Sequence, residues 1–436
     1  MPPLPYFLSL LRLVLVGLFG VIFCLMPTVV AGQGGSFAVR NFSPAEYGAH
    51  PQNFAAVQDQ RGFLYVANAA GVLEYDGTQW RTIPTSNGSM VYSLDTDGEV
   101  IYVGARDEIG HLQTLPTGAL DFRSLNALVP EADRDFRDVR HIFSIRGSDN
   151  EQGVYFVARE RILKWDSEKI DVTRAAAPII GAYQVEDQLW VQLEGRGLFQ
   201  LRNGQLQALP ITLPDVGQSE LVIKAILPTK EDGQLVVSLR NGLFQYNGKA
   251  LVALDHPAND LLRTGLVNDA IELTAGNFAV ATAYLGMVSF DLKQLSYLGN
   301  QGSGLQDQNV VGLYRDNLTG VWALLNEGIA RIQWGASIRQ FQENNGIEGQ
   351  VNDVLRFENR LYTATLRGLY VLNEAALPTS LDKNDKPVLQ RFEQVPGLDL
   401  ACYQLMATED ALIVASADGL FSWDGTQLRQ LRSAFP

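Results

Sequence analysis

Short apolar runs of three to six residues, rich in Val, Ile, Leu, Tyr and Phe, recur from residue 57 to the end of the chain. The first clear unit reads Val57-Gln58-Asp59, then Gly62 and the run Phe63-Leu64-Tyr65-Val66-Ala67-Asn68, then Gly71-Val72-Leu73-Glu74-Tyr75-Asp76-Gly77. Runs of β-branched and aromatic residues bounded by Gly and Asp predict strands. Three are expected here. The first ends at an acidic turn, the second at a glycine hairpin, and the third at Asp-Gly, a favoured tight-turn dipeptide.

The pattern repeats. Val100-Ile101-Tyr102-Val103-Gly104 leads to Gly110-His111-Leu112, and Val154-Tyr155-Phe156-Val157-Ala158 leads to Ile162-Leu163-Lys164-Trp165-Asp166. Hairpin glycines Gly197, Gly242, Gly286, Gly328 and Gly368 lie 45, 44, 42 and 40 residues apart. About nine such units of roughly 40 residues predict an all-β fold, a β-propeller of four-stranded antiparallel blades. Helical repeats of that length would space apolar residues three and four apart, which these segments do not. A lone blade cannot bury both faces, so blades must stack about an axis with large side chains between them. Trp165, Trp190, Trp322 and Trp423 recur at matched positions and are expected in that inter-blade core.

The first 31 residues break the pattern. Leu13 to Met26 is an apolar run behind a short segment holding Arg12, and Val29-Val30-Ala31 offers small side chains for cleavage. This layout predicts a signal peptide over 1–31, hence a periplasmic or extracellular protein. As a helix the 14-residue run rises about 21 Å, short of a ~30 Å hydrocarbon core. Left uncleaved, it would serve as an N-terminal membrane anchor. No later segment is long and apolar enough to span a bilayer. Cys24 would leave with the signal, so Cys402 would have no intramolecular partner.

The formal net charge is -14, from 34 Lys plus Arg against 48 Asp plus Glu, and cleavage would remove only Arg12. Such a surface repels nucleic acid and anionic lipid. Nucleic acid is therefore not an expected partner.

The stretch Asn41-Phe42-Ser43 through Tyr47-Gly48-Ala49-His50-Pro51-Gln52-Asn53, with Val57-Gln58-Asp59-x-x-Gly62 and the Gly71 to Gly77 run after it, resembles the start of the periplasmic sensor region of two-component regulator propeller proteins. Ile101-Tyr102-Val103-Gly104 to Gly110-His111-Leu112 is similar to that family's second repeat, and the resemblance covers residues 37–436. It implies two seven-bladed propellers followed by a small β-sandwich, a membrane helix and a cytoplasmic output module, with oligosaccharides as ligands. This chain departs from that pattern, having about nine repeats and none of the later parts. On the analogy, residues 37–335 form one propeller and 336–436 begin a second. One larger ring of eight or nine blades is the other arrangement, and it would leave no exposed edge.

Chemistry is sparse. His50, His111, His141 and His256 have no partner at a metal-ligand spacing, and no nucleophile elbow or phosphate-binding glycine loop is present. No metal, cofactor or catalytic residue is expected, although paired carboxylates from different blades would escape a reading by spacing. The Asp-Gly pairs, such as Asp97-Gly98 and Asp232-Gly233, lack the alternating carboxylates of a calcium loop and read as turns.

One pattern points to a ligand. The hairpin between each blade's second and third strands lies at the same end of the ring as the inter-blade loops. Five of these hairpins carry an arginine: Arg106, Arg159, Arg196, Arg240 and Arg367. In an acidic protein they would form a positive rim able to hold carboxylate or sulfate bidentately. Solvated turn residues are the more ordinary reading of the same arginines. Tyr284 and Asn326 occupy equivalent hairpins and could stack on or hydrogen-bond a sugar.

The expectation is a non-catalytic, exported, ligand-sensing propeller of a two-component-type regulator, with oligosaccharide as ligand. Its output would lie in a missing C-terminal module or a membrane-bound signalling partner. A protein-binding scaffold is the alternative, followed by a propeller glycosidase or lyase.

Overall fold

The computed structural model describes residues 35–146, 152–214, 221–230, 233–293, 295–299, 303–341, 345–374 and 390–433. The signal-peptide reading of residues 1–31 lies outside these. The described residues form nine four-stranded antiparallel sheets.

Blade 1 shows how the repeat builds a sheet from Asn53–Gln58, Leu64–Asn68, Gly71–Tyr75 and Trp80–Ile83. Its first turn is held by Asp59, whose Oδ1 accepts the amides of Arg61 and Phe63 at 2.9 and 3.0 Å. The second needs Gly71, at φ +135°, because a Cβ there would stand 2.5 Å from the carbonyl oxygen of Ile83. In the third, Asp76 Oδ1 accepts the amides of Thr78 and Gln79, both at 2.7 Å. Asp97 closes its turn likewise, on Glu99 and Val100. These Asp-Gly pairs are turn hardware, as expected; Asp232 lies outside the described residues.

Each of blades 1 to 7 buries a leading face against one neighbour and a trailing face against the other. Val57, Tyr65 and Val72 of blade 1 pack on Val91, Leu94 and Val103 of blade 2. Equivalent cores follow between each successive pair through blade 7. The last core of the ring joins Trp322, Leu324 and Ile329 of blade 7 to Leu64, Val66 and Leu73 of blade 1.

The ring closes there through the start of the chain. Val39–Phe42 is the outer strand of blade 7, pairing antiparallel with Gly328–Ile332 so that Val39 faces Ile332 and Phe42 faces Ile329. A short helix, Pro44–Tyr47, then turns the chain into blade 1, capped by Ser43 and ended by Gly48 in the left-handed region at φ 65°. Tyr47 Oη donates to the Pro51 carbonyl at 3.2 Å, and Asn53 Nδ2 donates across the seam to the Gly328 carbonyl at 3.1 Å. Most of the distinctive N-terminal motif is thus the clasp of a seven-bladed ring.

Blades 8 and 9 follow, with a core of their own from Leu369, Leu398, Cys402, Leu405 and Leu412. Trp423 joins it, Nε1 donating to Tyr362 Oη at 3.3 Å. Trp165, Trp190 and Trp322 lie in the corresponding cores of the ring, as expected of these residues.

One feature is shared by all nine blades. The first strand slips register one residue after it begins, as between Val91 and Ser93, Val139 and His141, or Val267 and Asp269. The residue in the slip opposes no partner, which is a β-bulge.

Candidate functional site at the channel mouth

First strands of successive blades run side by side around the axis, so the seven bulges of the ring form a circle at one mouth of the channel. In chain order they hold Phe54, Tyr92, Arg140, Ile180, Lys224, Asn268 and Val311. The second-to-third-strand hairpins stand at this same mouth, since each begins where the first strand begins, as Val91 opposite Ala105 shows.

On one side is an aromatic and cationic platform. The rings of Phe54 and Tyr92 lie 5.1 Å apart, and the Arg140 guanidinium sits 4.2 Å from the centre of the Tyr92 ring. Asp138 orients it, accepting from Arg140 at 2.8 Å and lying 3.9 Å from Arg106. Arg140 stays exposed, so the pairing leaves much of its fork open to a ligand.

On the other side the first strands of blades 3 to 6 line a cleft of ≈ 370 Å³ containing His141, Gln184, Lys224, Asn268 and Asp269. Three of its polar groups tie blades together. Asp269 Oδ2 accepts the Leu313 amide at 3.0 Å, Asn268 Nδ2 donates to the Val310 carbonyl at 2.8 Å, and Tyr183 Oη donates to the Ile223 carbonyl at 2.8 Å. Lys224 lines the cleft with His141 and Asp269, and its charge acts on both. Burial pulls its pKa down, partly opposed by the Asp269 charge, while burial raises the Asp269 carboxyl. His141 falls to about 4, through burial first and then the charges of Lys224 and Arg140. The cleft therefore presents the Lys224 amine, the Asp269 carboxyl, a histidine held neutral at pH 7 and amide groups. Arg106, Arg140 and Lys224 bring three cations to this mouth, with the carboxyls of Asp138 and Asp269 beside them.

The residues expected from sequence are brought together only in part. Arg106 joins the platform through Asp138. Arg159, Arg196 and Arg240 are exposed on successive hairpins of the same mouth, as is Tyr284, and Asn326 is half-buried. Arg367 belongs to blade 8, outside the ring. Sequence reasoning missed Tyr92, Arg140, His141, Lys224 and Asp269. For Tyr92, Arg140 and Lys224 the signal is one column of long side chains, each just after the β-branched residue that opens a first strand, as in Val139-Arg140 and Ile223-Lys224.

No protein-family model matches the sequence, and no curated protein does. Solved structures do match. The extracellular domain of a B. thetaiotaomicron hybrid two component system aligns with a TM-score of 0.64 at 15% identity, over 91% of this chain and 54% of its own. A second such domain from B. thetaiotaomicron aligns with a TM-score of 0.53 at 16% identity, over 91% and 54%. The WD40 β-propeller domain of Doa1 aligns with a TM-score of 0.50 at 12% identity, over 72% and 99%. The fold is a β-propeller. This propeller spans about half the length of the extracellular domains it resembles.

Proposed function

We propose that this chain is the ligand-sensing propeller of an exported two-component-type signalling protein, and that it binds a small anionic ligand at the channel mouth. An acidic or sulfated oligosaccharide is the ligand class that fits. The half-buried ring of Phe54 offers an apolar edge to a sugar, while carboxylate or sulfate groups suit Arg140 and Lys224. In this reading the chain is not itself an enzyme, and a kinase or other output lies outside it.

The observation that carries the reading is the placement of Lys224. Its amine is partly desolvated in a cleft that it shares with the Asp269 carboxyl and with a histidine held neutral. Fold likeness to extracellular domains of two-component systems supports the sensing role.

Calorimetry and thermal melting with a sulfated disaccharide and its neutral counterpart test this on wild type, Arg140→Ala and Lys224→Met. The anionic sugar should raise the melting temperature of the wild type, and each substitution should weaken its binding tenfold or more. Equal binding of the two sugars, or affinity untouched by both substitutions, would discard the site.

A further inference from the structure

Most polar side chains of the cleft at the channel mouth are already engaged by the protein. Asp269 accepts the Ala270 amide on Oδ1 at 2.8 Å and the Leu313 amide on Oδ2 at 3.0 Å. Asn268 and Tyr183 donate to backbone carbonyls of the following blade, and Gln184 Nε2 donates to the Glu186 carbonyl at 3.1 Å. The side chains of Lys224 and His141 differ: among the described residues neither makes a hydrogen bond or an ion pair. The wall around them is largely apolar, with Ile180, Ile223, Ile226 and Ala270 lining the same cleft. The rings of His141 and Phe143 lie nearly parallel there, centres 6.2 Å apart.

These surroundings set the chemistry of the amine. A lysine taken out of water shifts readily towards its free base, whose nitrogen lone pair is open to an electrophile. Burial acts on Lys224 in that direction, and the Asp269 charge that opposes it belongs to a carboxyl already held by two amides. His141 is neutral at pH 7 and supplies no counter-ion. An anchor for an anion stands next along the strand, because Arg140 directly precedes His141 and keeps its guanidinium exposed.

We propose that Lys224 captures an anionic carbonyl compound as an imine, Arg140 holding its carboxylate while the lysine nitrogen bonds to its carbonyl carbon. The ligand class is an oxo acid or the open-chain form of a sugar acid. The nitrogen lone pair forms the C–N bond, and the carbonyl oxygen leaves as water with both hydrogens of the amine. No oxidant or reductant is required. Hydrolysis reverses the step and returns the ligand unchanged, so this is capture without turnover. A cleft of ≈ 370 Å³ lies at the small end of ligand pockets, which suits such a molecule. The inference rests on this mouth being a ligand site and adds the functional group by which the ligand is held.

Reductive trapping tests it. The whole chain is incubated with glyoxylate and cyanoborohydride at neutral pH, and the labelled lysines are mapped by mass spectrometry of its peptides. Lys224 should label about tenfold faster than any exposed lysine. Arg140→Ala should slow labelling by glyoxylate more than labelling by acetaldehyde, which has no carboxylate. Lys224→Arg, shown to be folded by its melting curve, should lose the fast phase. Label spread evenly over the exposed lysines overturns the proposal, as does a fast phase that survives Lys224→Arg. Should that variant fail to fold, the wild-type map decides alone. Calorimetry with the methyl glycoside of a sulfated disaccharide, which has no carbonyl, keeps the two readings apart. Glycoside binding without fast label at Lys224 overturns the imine and leaves the anion site standing. Fast label at Lys224 without glycoside binding upholds the imine and removes the sulfated sugar as ligand.

Discussion

The ring of Phe42 stacks on the indole of Trp322, centroids 5.6 Å apart and planes 26° from parallel. Tyr75 and Trp80 of blade 1 meet Phe42 edge-on at 5.4 and 5.5 Å. One side chain from the closing strand therefore joins blade 7 to blade 1. Phe42→Ala should cost about 3–5 kcal/mol, the usual loss for a buried phenylalanine. Urea unfolding measures it. Hydrogen exchange should quicken at the seam of blades 7 and 1 while the core shared by blades 8 and 9 keeps its protection.

Gly328 guards the same seam from the hairpin side. It sits at φ 109°, and a Cβ there would meet the Phe42 carbonyl oxygen at 2.8 Å and collide with the Gln306 side chain. Gly328→Ala should destabilise by about 1–3 kcal/mol through backbone strain. Alanine at Gly77, where a Cβ would have open space, should cost less. Equal melting temperatures for the two variants would contradict the seam geometry.

Asp269 and Asp353 are matched latches. Each carboxylate accepts an amide from the next blade's first strand, Asp269 from Leu313 at 3.0 Å and Asp353 from Leu405 at 2.8 Å. Removing either acceptor strands a backbone N–H. Asp269→Ala and Asp353→Ala should each lose about 1–3 kcal/mol. Denaturant titration should find the two losses additive in the double variant, since the latches lie in separate blade pairs.

Acidity should act through His141 and Asp95 in opposite directions. Folding lowers His141 from 6.5 to about 4, so the unfolded chain takes up this proton first. The stability tied to its neutral form is complete above pH 6.5 and lost as pH falls towards 4, on the order of 3 kcal/mol in all. Burial raises the Asp95 carboxyl to about 6, so its ionisation costs stability as pH climbs from 4 to 6. His141→Asn should flatten the acid limb of the stability curve, and Asp95→Asn should steepen it. Curves for both variants that run parallel to wild type between pH 4 and 6.5 would refute these assignments.

The blades were legible because their signals are local. Gly71 and Asp76 are imposed by hairpin and turn geometry within a few residues, and Trp165, Trp190, Trp322 and Trp423 repeat at a fixed place in the unit. The mouth was not, because the bulge shifts side-chain alternation at one position without a Gly or Pro to mark it. Arg140 and Lys224 therefore read as ordinary strand residues until the register is known. Arg367 shares its local pattern with Arg106, yet ring membership depends on which sheet Val39–Phe42 joins, a pairing across nearly three hundred residues. Asp269 has no sequence mark of its role, since its partner is the backbone of another blade.

The closing strand also sets a schedule. Val39–Phe42 leaves the ribosome long before Gly328–Ile332, the strand it must pair with. At translation rates of about 5–20 residues per second, the growing arc waits on the order of tens of seconds for its last blade. Throughout that wait Leu64, Val66 and Leu73 have no Trp322 to cover them. A permuted chain that carries the closing strand directly after Ile332 would complete blade 7 as soon as that blade is made.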